Sequence, residues 1–162
     1  MKKLQKMVCL LMVVMIFASV VSVEAWADNN VWQMMENGET WVDENGHTWM
    51  PAPEPDGETI NATGAKTYSW TIPTDTTYYT QYIWHMQYKQ KIKVEAYCYE
   101  SKTYAVGIQG YGSYKYRTVF GYSDGYTFSV HATADYRYFV ENFQTSSINV
   151  SSTVTPIYEI EE

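Results

Sequence analysis

Residues 91–100, KIKVEAYCYE, constrain the fold more than any other stretch of the chain. Ile92, Val94, Ala96 and Cys98 alternate with Lys91, Lys93, Glu95, Tyr97 and Tyr99. A β-strand points successive side chains to opposite faces, so this run has one apolar edge and one polar-aromatic edge. On a helix the same apolar positions would scatter around the axis. The stretch is therefore a strand of a sheet with one dry face, and much of the chain repeats its pattern.

Tyr68, Trp70 and Ile72 alternate with Thr67, Ser69 and Thr71. Residues 78–88 read as one strand, with Tyr78, Tyr82, Trp84, Met86 and Tyr88 against Tyr79, Gln81, Ile83, His85 and Gln87. Further sets are Tyr104/Val106/Ile108, Tyr114/Tyr116/Thr118/Phe120, Tyr126/Phe128/Val130 and Tyr136/Tyr138/Val140. Residues 147–158 close the series, with Ile148, Val150 and Val154 opposite Ser, Asn and Thr. Turn signals separate the runs at Gly110-Tyr111-Gly112, Ser123-Asp124-Gly125 and Ala134-Asp135. About eight such strands, without an amphipathic helix, predict an all-β chain whose residues 59–162 form an antiparallel β-sandwich. Jelly-roll and immunoglobulin-like topologies both remain open.

The chain begins with a different kind of segment. Residues 1–6, MKKLQK, are basic, and residues 7–23 are uncharged and apolar. Ala25-Trp26-Ala27 then offers a small-x-small cleavage site, so residues 1–27 are expected to be a secretory signal peptide, with Ala25 as the alternative cleavage point. Residues 28–162 carry eight Lys and Arg against seventeen Asp and Glu, a net charge of −9. That balance excludes nucleic acid as a partner and argues against anionic lipid. The protein is expected outside the cell, released or held non-covalently at the wall, with no membrane anchor once the signal is cleaved. Cys98 is the one cysteine left, so no internal disulfide forms. On the apolar side of its strand it reads as a small buried hydrophobe rather than a reactive thiol.

Residues 28–50 carry a short repeat: Glu36-Asn37-Gly38-Glu39-Thr40-Trp41-Val42 is followed by Glu44-Asn45-Gly46-His47-Thr48-Trp49-Met50. Asn-Gly suits a type I′ hairpin turn, which predicts short strands over Val31–Met35, Glu39–Asp43 and His47–Met50, with Trp41 and Trp49 side by side. Residues 51–58 hold Pro51, Pro53 and Pro55 and read as an extended linker to the sandwich.

On Trp32, Trp41 and Asp43-Glu44-Asn45-Gly46, residues 32–50 resemble one unit of the choline-binding cell-wall repeats of Gram-positive surface proteins. They depart from that family in lacking Trp-Tyr-Tyr and a tandem array. Residues 60–158, with Tyr136-Arg137-Tyr138-Phe139-Val140-Glu141-Asn142 before a Thr/Ser-alternating last strand, resemble small secreted β-sandwich proteins of Gram-positive bacteria. No function is established for that group, and the resemblance carries no catalytic residue across.

Chemistry is sparse. His47, His85 and His131 lack metal-ligand spacing, and no cofactor is expected. Asp43–Gly46 and Asp124-Gly125 lack the alternating acidic spacing of a calcium loop. Glu95, Asp124, Asp135 and Glu141 could pair as glycosidase carboxylates only if the fold brought them together, and Lys91 and Lys93 beside Glu95 suit ion pairs better. There is no nucleophile elbow, so a non-enzymatic protein is expected. What remains is aromatic excess, 16 Tyr and 6 Trp. Tyr68, Trp70, Tyr82, Trp84, Tyr104 and Tyr138 suit a core. Tyr79, Tyr97 and Tyr99, of the opposite parity, together with Trp41 and Trp49, are the candidate ligand-binding residues. Aromatic rings on a sheet face stack on sugars or anchor proteins, so the expected partner is a carbohydrate or a cell-surface protein.

Overall fold

A computed structural model describes residues 29–53 and 64–159; the expected signal peptide and most of the proline-rich linker lie outside the described residues. Among the described residues one helix, α1 (Asn29–Glu36), precedes eleven strands. In order these are β1 (Trp41–Val42), β2 (Thr48–Pro51), β3 (Lys66–Ile72), β4 (Thr76–Tyr79), β5 (Trp84–Met86), β6 (Lys91–Cys98), β7 (Tyr104–Gly110), β8 (Ser113–Val119), β9 (Ser123–Ser129), β10 (Ala134–Asn142) and β11 (Ile148–Ile157). They form two sheets. The first runs β1-β2-β4-β10-β7-β8, with β5 also on β10, and the second runs β3-β11-β6-β9. All pairings are antiparallel except β2 with β4. The chain is an all-β sandwich.

The alternation of β6 does what its sequence requires. Ile92, Val94, Ala96 and Cys98 are buried between the sheets, while Glu95 and Tyr97 face outward. Tyr68 and Trp70 of β3 stack on Tyr138 of the opposite sheet, with centroids 6.1 and 5.9 Å apart. The Tyr138 hydroxyl donates to Ser152 at 2.7 Å, which accounts for a buried serine in an otherwise apolar strand. Gly110 is required here, because a Cβ on it would sit 2.6 Å from the Tyr136 ring.

Several expectations are corrected. Residues 31–35 are helical, not a strand. Val31 and Trp32 lie four and three residues before Met35, so one helical face carries all three, and Met35 is fully buried. Consequently the first Asn-Gly is not a hairpin turn. Gly38, at φ 68°, ends α1 in the left-handed conformation, and its N–H donates to the Met35 carbonyl at 3.1 Å. The second Asn-Gly does make a hairpin, with Gly46 alone at positive φ (82°) and Asp43 N–H bonded to the His47 carbonyl. That is a type I turn closed by a left-handed glycine rather than type I′.

Residues 78–88 are two strands, not one, so the sandwich from residue 66 onward has nine strands. The chain leaves the sheet after Tyr79 because the Arg137 guanidinium takes the carbonyls of Thr80 and Gln81 at 2.8 and 2.6 Å. Tyr82, expected in the core, sits in that excursion and is 38% exposed, with the Lys66 ammonium 3.4 Å above its ring.

Candidate binding face

The two sheets turn very different outer surfaces to their surroundings. On the first, Trp41 pairs directly with Trp49 across β1 and β2, and the rings stack at 5.5 Å. Trp49, Tyr79 and Phe139 continue the row, and Met35 of α1 closes over them. Phe139 lies flat across the β7 backbone, where a Cβ on Gly107 would meet its ring at 2.3 Å. The Tyr79 hydroxyl donates to the Glu39 carbonyl at 2.7 Å, fastening the segment after α1 onto the sheet. Tyr79 and Trp49 are therefore packed rather than presented: Tyr79 is fully buried, Trp49 nearly so, and Trp41 half-buried. Burial pushes the Tyr79 phenol up to about 12, against the opposing pull of Arg137.

At the rim of this layer His47 approaches the Thr77 hydroxyl (2.7 Å) and Glu141 (3.8 Å). Desolvation raises the Glu141 pKa, and the nearby His47 counteracts it. His85 pairs instead with Asp135, and His131 is exposed. Among the described residues no three His, Cys, Asp or Glu side chains are grouped to hold a metal.

Among the described residues nothing covers the outer face of the second sheet in this way. Its rows, read across β3, β11, β6 and β9, are Thr67–Thr153–Glu95–Gly125 and Ser69–Ser151–Tyr97–Ser123. Hydroxyls bond one another along the β3–β11 seam, Thr67 to Thr153 at 3.1 Å and Ser69 to Ser151 at 3.4 Å. The missing side chain at Gly125 leaves an open depression of about 560 Å3 beside Glu95 and Tyr97, reaching Asp124 and Ser151. Glu95 and Asp124 do line one hollow, but each has a cation of its own: Lys93 holds Glu95 at 2.9 Å and Arg117 holds Asp124 at 3.0 Å.

Tyrosines gather at the end of the depression. Tyr97 packs edge-to-face with Tyr99 (4.9 Å, 88°) and stacks on Tyr122 (6.2 Å, 24°). They stay exposed, Tyr97 by 40%, Tyr99 by 61% and Tyr122 by 58%, as does Phe120, two residues before Tyr122, by 77%. Their backbone is well held. Cys98 N–H donates to the Tyr122 carbonyl, Tyr99 N–H to the Asn149 carbonyl, and Asn149 N–H to the Glu100 carboxylate at 2.8 Å. Desolvation works to raise the Glu100 pKa, but the hydrogen bonds from Asn149 outweigh it and the net shift is downward.

Of the five residues singled out from sequence, then, the fold brings Tyr97 and Tyr99 together on an open face and puts Trp41, Trp49 and Tyr79 in a covered one. Tyr122 belongs with the first group and was not singled out from sequence; Phe120, read as the end of the Tyr114/Tyr116/Thr118 alternation, is exposed two residues before it. The signal that could have found them is Phe120-Gly121-Tyr122 itself, bulky rings flanking a turn glycine at φ 87°.

No family model and no curated protein matches the chain. Among solved structures it is similar to the crystal structure of Aeromonas hydrophila PliG, a periplasmic lysozyme inhibitor of g-type lysozyme. The match has a TM-score of 0.42 at 13% identity and covers 67% of this chain and 95% of that one. At that distance it transfers neither a residue role nor a ligand.

Proposed function

We propose that this is a secreted, non-enzymatic protein-binding sandwich that engages its partner through the Tyr97–Tyr99–Tyr122 cluster. The exposure of those rings on a rigid, hydrogen-bonded scaffold carries the reading. Apolar rings with polar tips give large contact area at low entropic cost and dominate protein interfaces. Tyr97 has Tyr122 against it on one side and Tyr99 on another, so the cluster presents edges and hydroxyls more than free ring faces. In this reading residues 1–27 direct export and are removed.

The depression beside Tyr97, with its hydroxyls and carboxylates, favours carbohydrate as a second reading. The test is capture of partners from cell-wall and secreted fractions by residues 28–162, with and without Tyr97→Ala, Tyr99→Ala and Tyr122→Ala combined. A captured protein that the folded triple variant loses, and that soluble glycans do not displace, is expected. Displacement by a glycan would move the assignment to carbohydrate, and equal capture by the variant would remove the tyrosine face from either reading.

A further inference from the structure

A second surface stands apart from the tyrosine face and does not depend on it. Strand β1 ends the first sheet, and among the described residues no strand pairs with its other side. Asp43 and His47 form a hydrogen-bonded pair of the hairpin, so Val42 and Thr48, one step along, form a non-bonded pair. Thr48 accordingly sends its N–H the other way, to the Asp75 carbonyl at 2.9 Å. By the same geometry the N–H and C=O of Val42 point out of the sheet at its open edge, and the Val42 side chain is 63% exposed.

Charge selects what could pair there. Residues 29–53 contain four carboxylates, Glu36, Glu39, Asp43 and Glu44, and no Lys or Arg. The other described residues, 64–159, carry eight Lys and Arg against seven Asp and Glu. The negative charge of the described chain is thus concentrated in the segment that carries β1, with Glu39 and Glu44 exposed on either side of that strand in sequence, while Glu36 lies within electrostatic reach of Arg137. His47, the titratable base of the segment, is engaged with Thr77 and faces Glu141. A second copy would set like charges against each other, which discourages self-pairing at an open edge. A basic strand meets the opposite field.

We infer that β1 is a docking edge for an extended, basic segment of a partner protein, which adds to the first sheet as a further strand. Its backbone bonds to Val42, and its Lys or Arg side chains meet Glu39 and Glu44. Trp41, half-buried and stacked on Trp49, supplies an aromatic surface at the same position.

The probe is a peptide alternating Arg and Val, compared with its Glu/Val counterpart by fluorescence anisotropy at low and moderate salt. The Arg/Val peptide is expected to bind and protect the Val42 amide from hydrogen exchange, while the Glu/Val peptide does not bind. Glu39→Lys with Glu44→Lys should weaken binding roughly tenfold or more. Val42→Pro removes the outward N–H and puts its ring at the open edge without taking a β1–β2 hydrogen bond, so it should abolish binding while leaving the β1–β2 pair intact. Equal binding of both peptides, binding that survives Val42→Pro, or binding without protection of the wild-type Val42 amide would each overturn the inference. So would dimerisation of the protein through this edge. Because the protection is read on the wild type, the result stands even if the proline variant misfolds.

Discussion

The outer faces of the two sheets are built from similar residues and end differently. The first carries Trp41, Trp49, Tyr79 and Phe139 and lies beneath α1. The second carries Tyr97, Tyr99 and Tyr122 and lies beneath nothing in the described chain. Covered aromatics exclude water on both sides and work as a second core. Uncovered ones leave roughly half their area exposed. Aromatic content alone does not separate an exposed face from a packing face; the chain segment that covers one of them does.

The comparison breaks most visibly at β6. Val94 faces the core and Lys93 the open side, so Val94→Asp should unfold the domain, since an unpaired buried charge costs several kcal/mol. Lys93→Asp, which loses an exposed ion pair, should shift chemical denaturation by under about 1 kcal/mol. The reverse order would mean that the open face has been misassigned.

Between the two aromatic groups, Phe139→Ala should cost about 3–5 kcal/mol and Tyr99→Ala about 0.5 kcal/mol or less. Equal losses in urea titrations of the two variants would show that the tyrosine cluster is packed as tightly as the covered layer. Within the covered layer a smaller effect than that of Phe139 belongs to the Tyr79 hydroxyl. Tyr79→Phe should cost about 1 kcal/mol at neutral pH for the lost bond to Glu39. The folded protein holds this phenol protonated up to about 12, above its ordinary 10.0, so folding stability is present below pH 10 and falls as pH climbs toward 12. Thermal melts across that window should show a shallower decline for Tyr79→Phe than for wild type.

Much of the sandwich was legible because burial on one face of a strand writes itself into alternate residues. The β6 pattern, the Tyr68/Trp70/Ile72 row and the Thr/Ser alternation of β11 all read correctly for that reason. The misread stretches are those covered on both faces or too short to show a period. In β4 all four residues are buried, so Tyr79 carries no polar-side signature despite its parity. The helix spans eight residues, and its apolar positions also fit a short strand.

The sequence by itself determined that this chain makes sheets with one dry face, and where most of the strands lie, because side-chain period is a local property of the backbone. Only the tertiary structure decided which aromatics work as core and which as surface. That depends on α1 folding back over Trp49, Tyr79 and Phe139, and on Tyr122 returning beside Tyr97. Both are contacts between residues distant in the chain, set by the sheet order rather than by any local pattern.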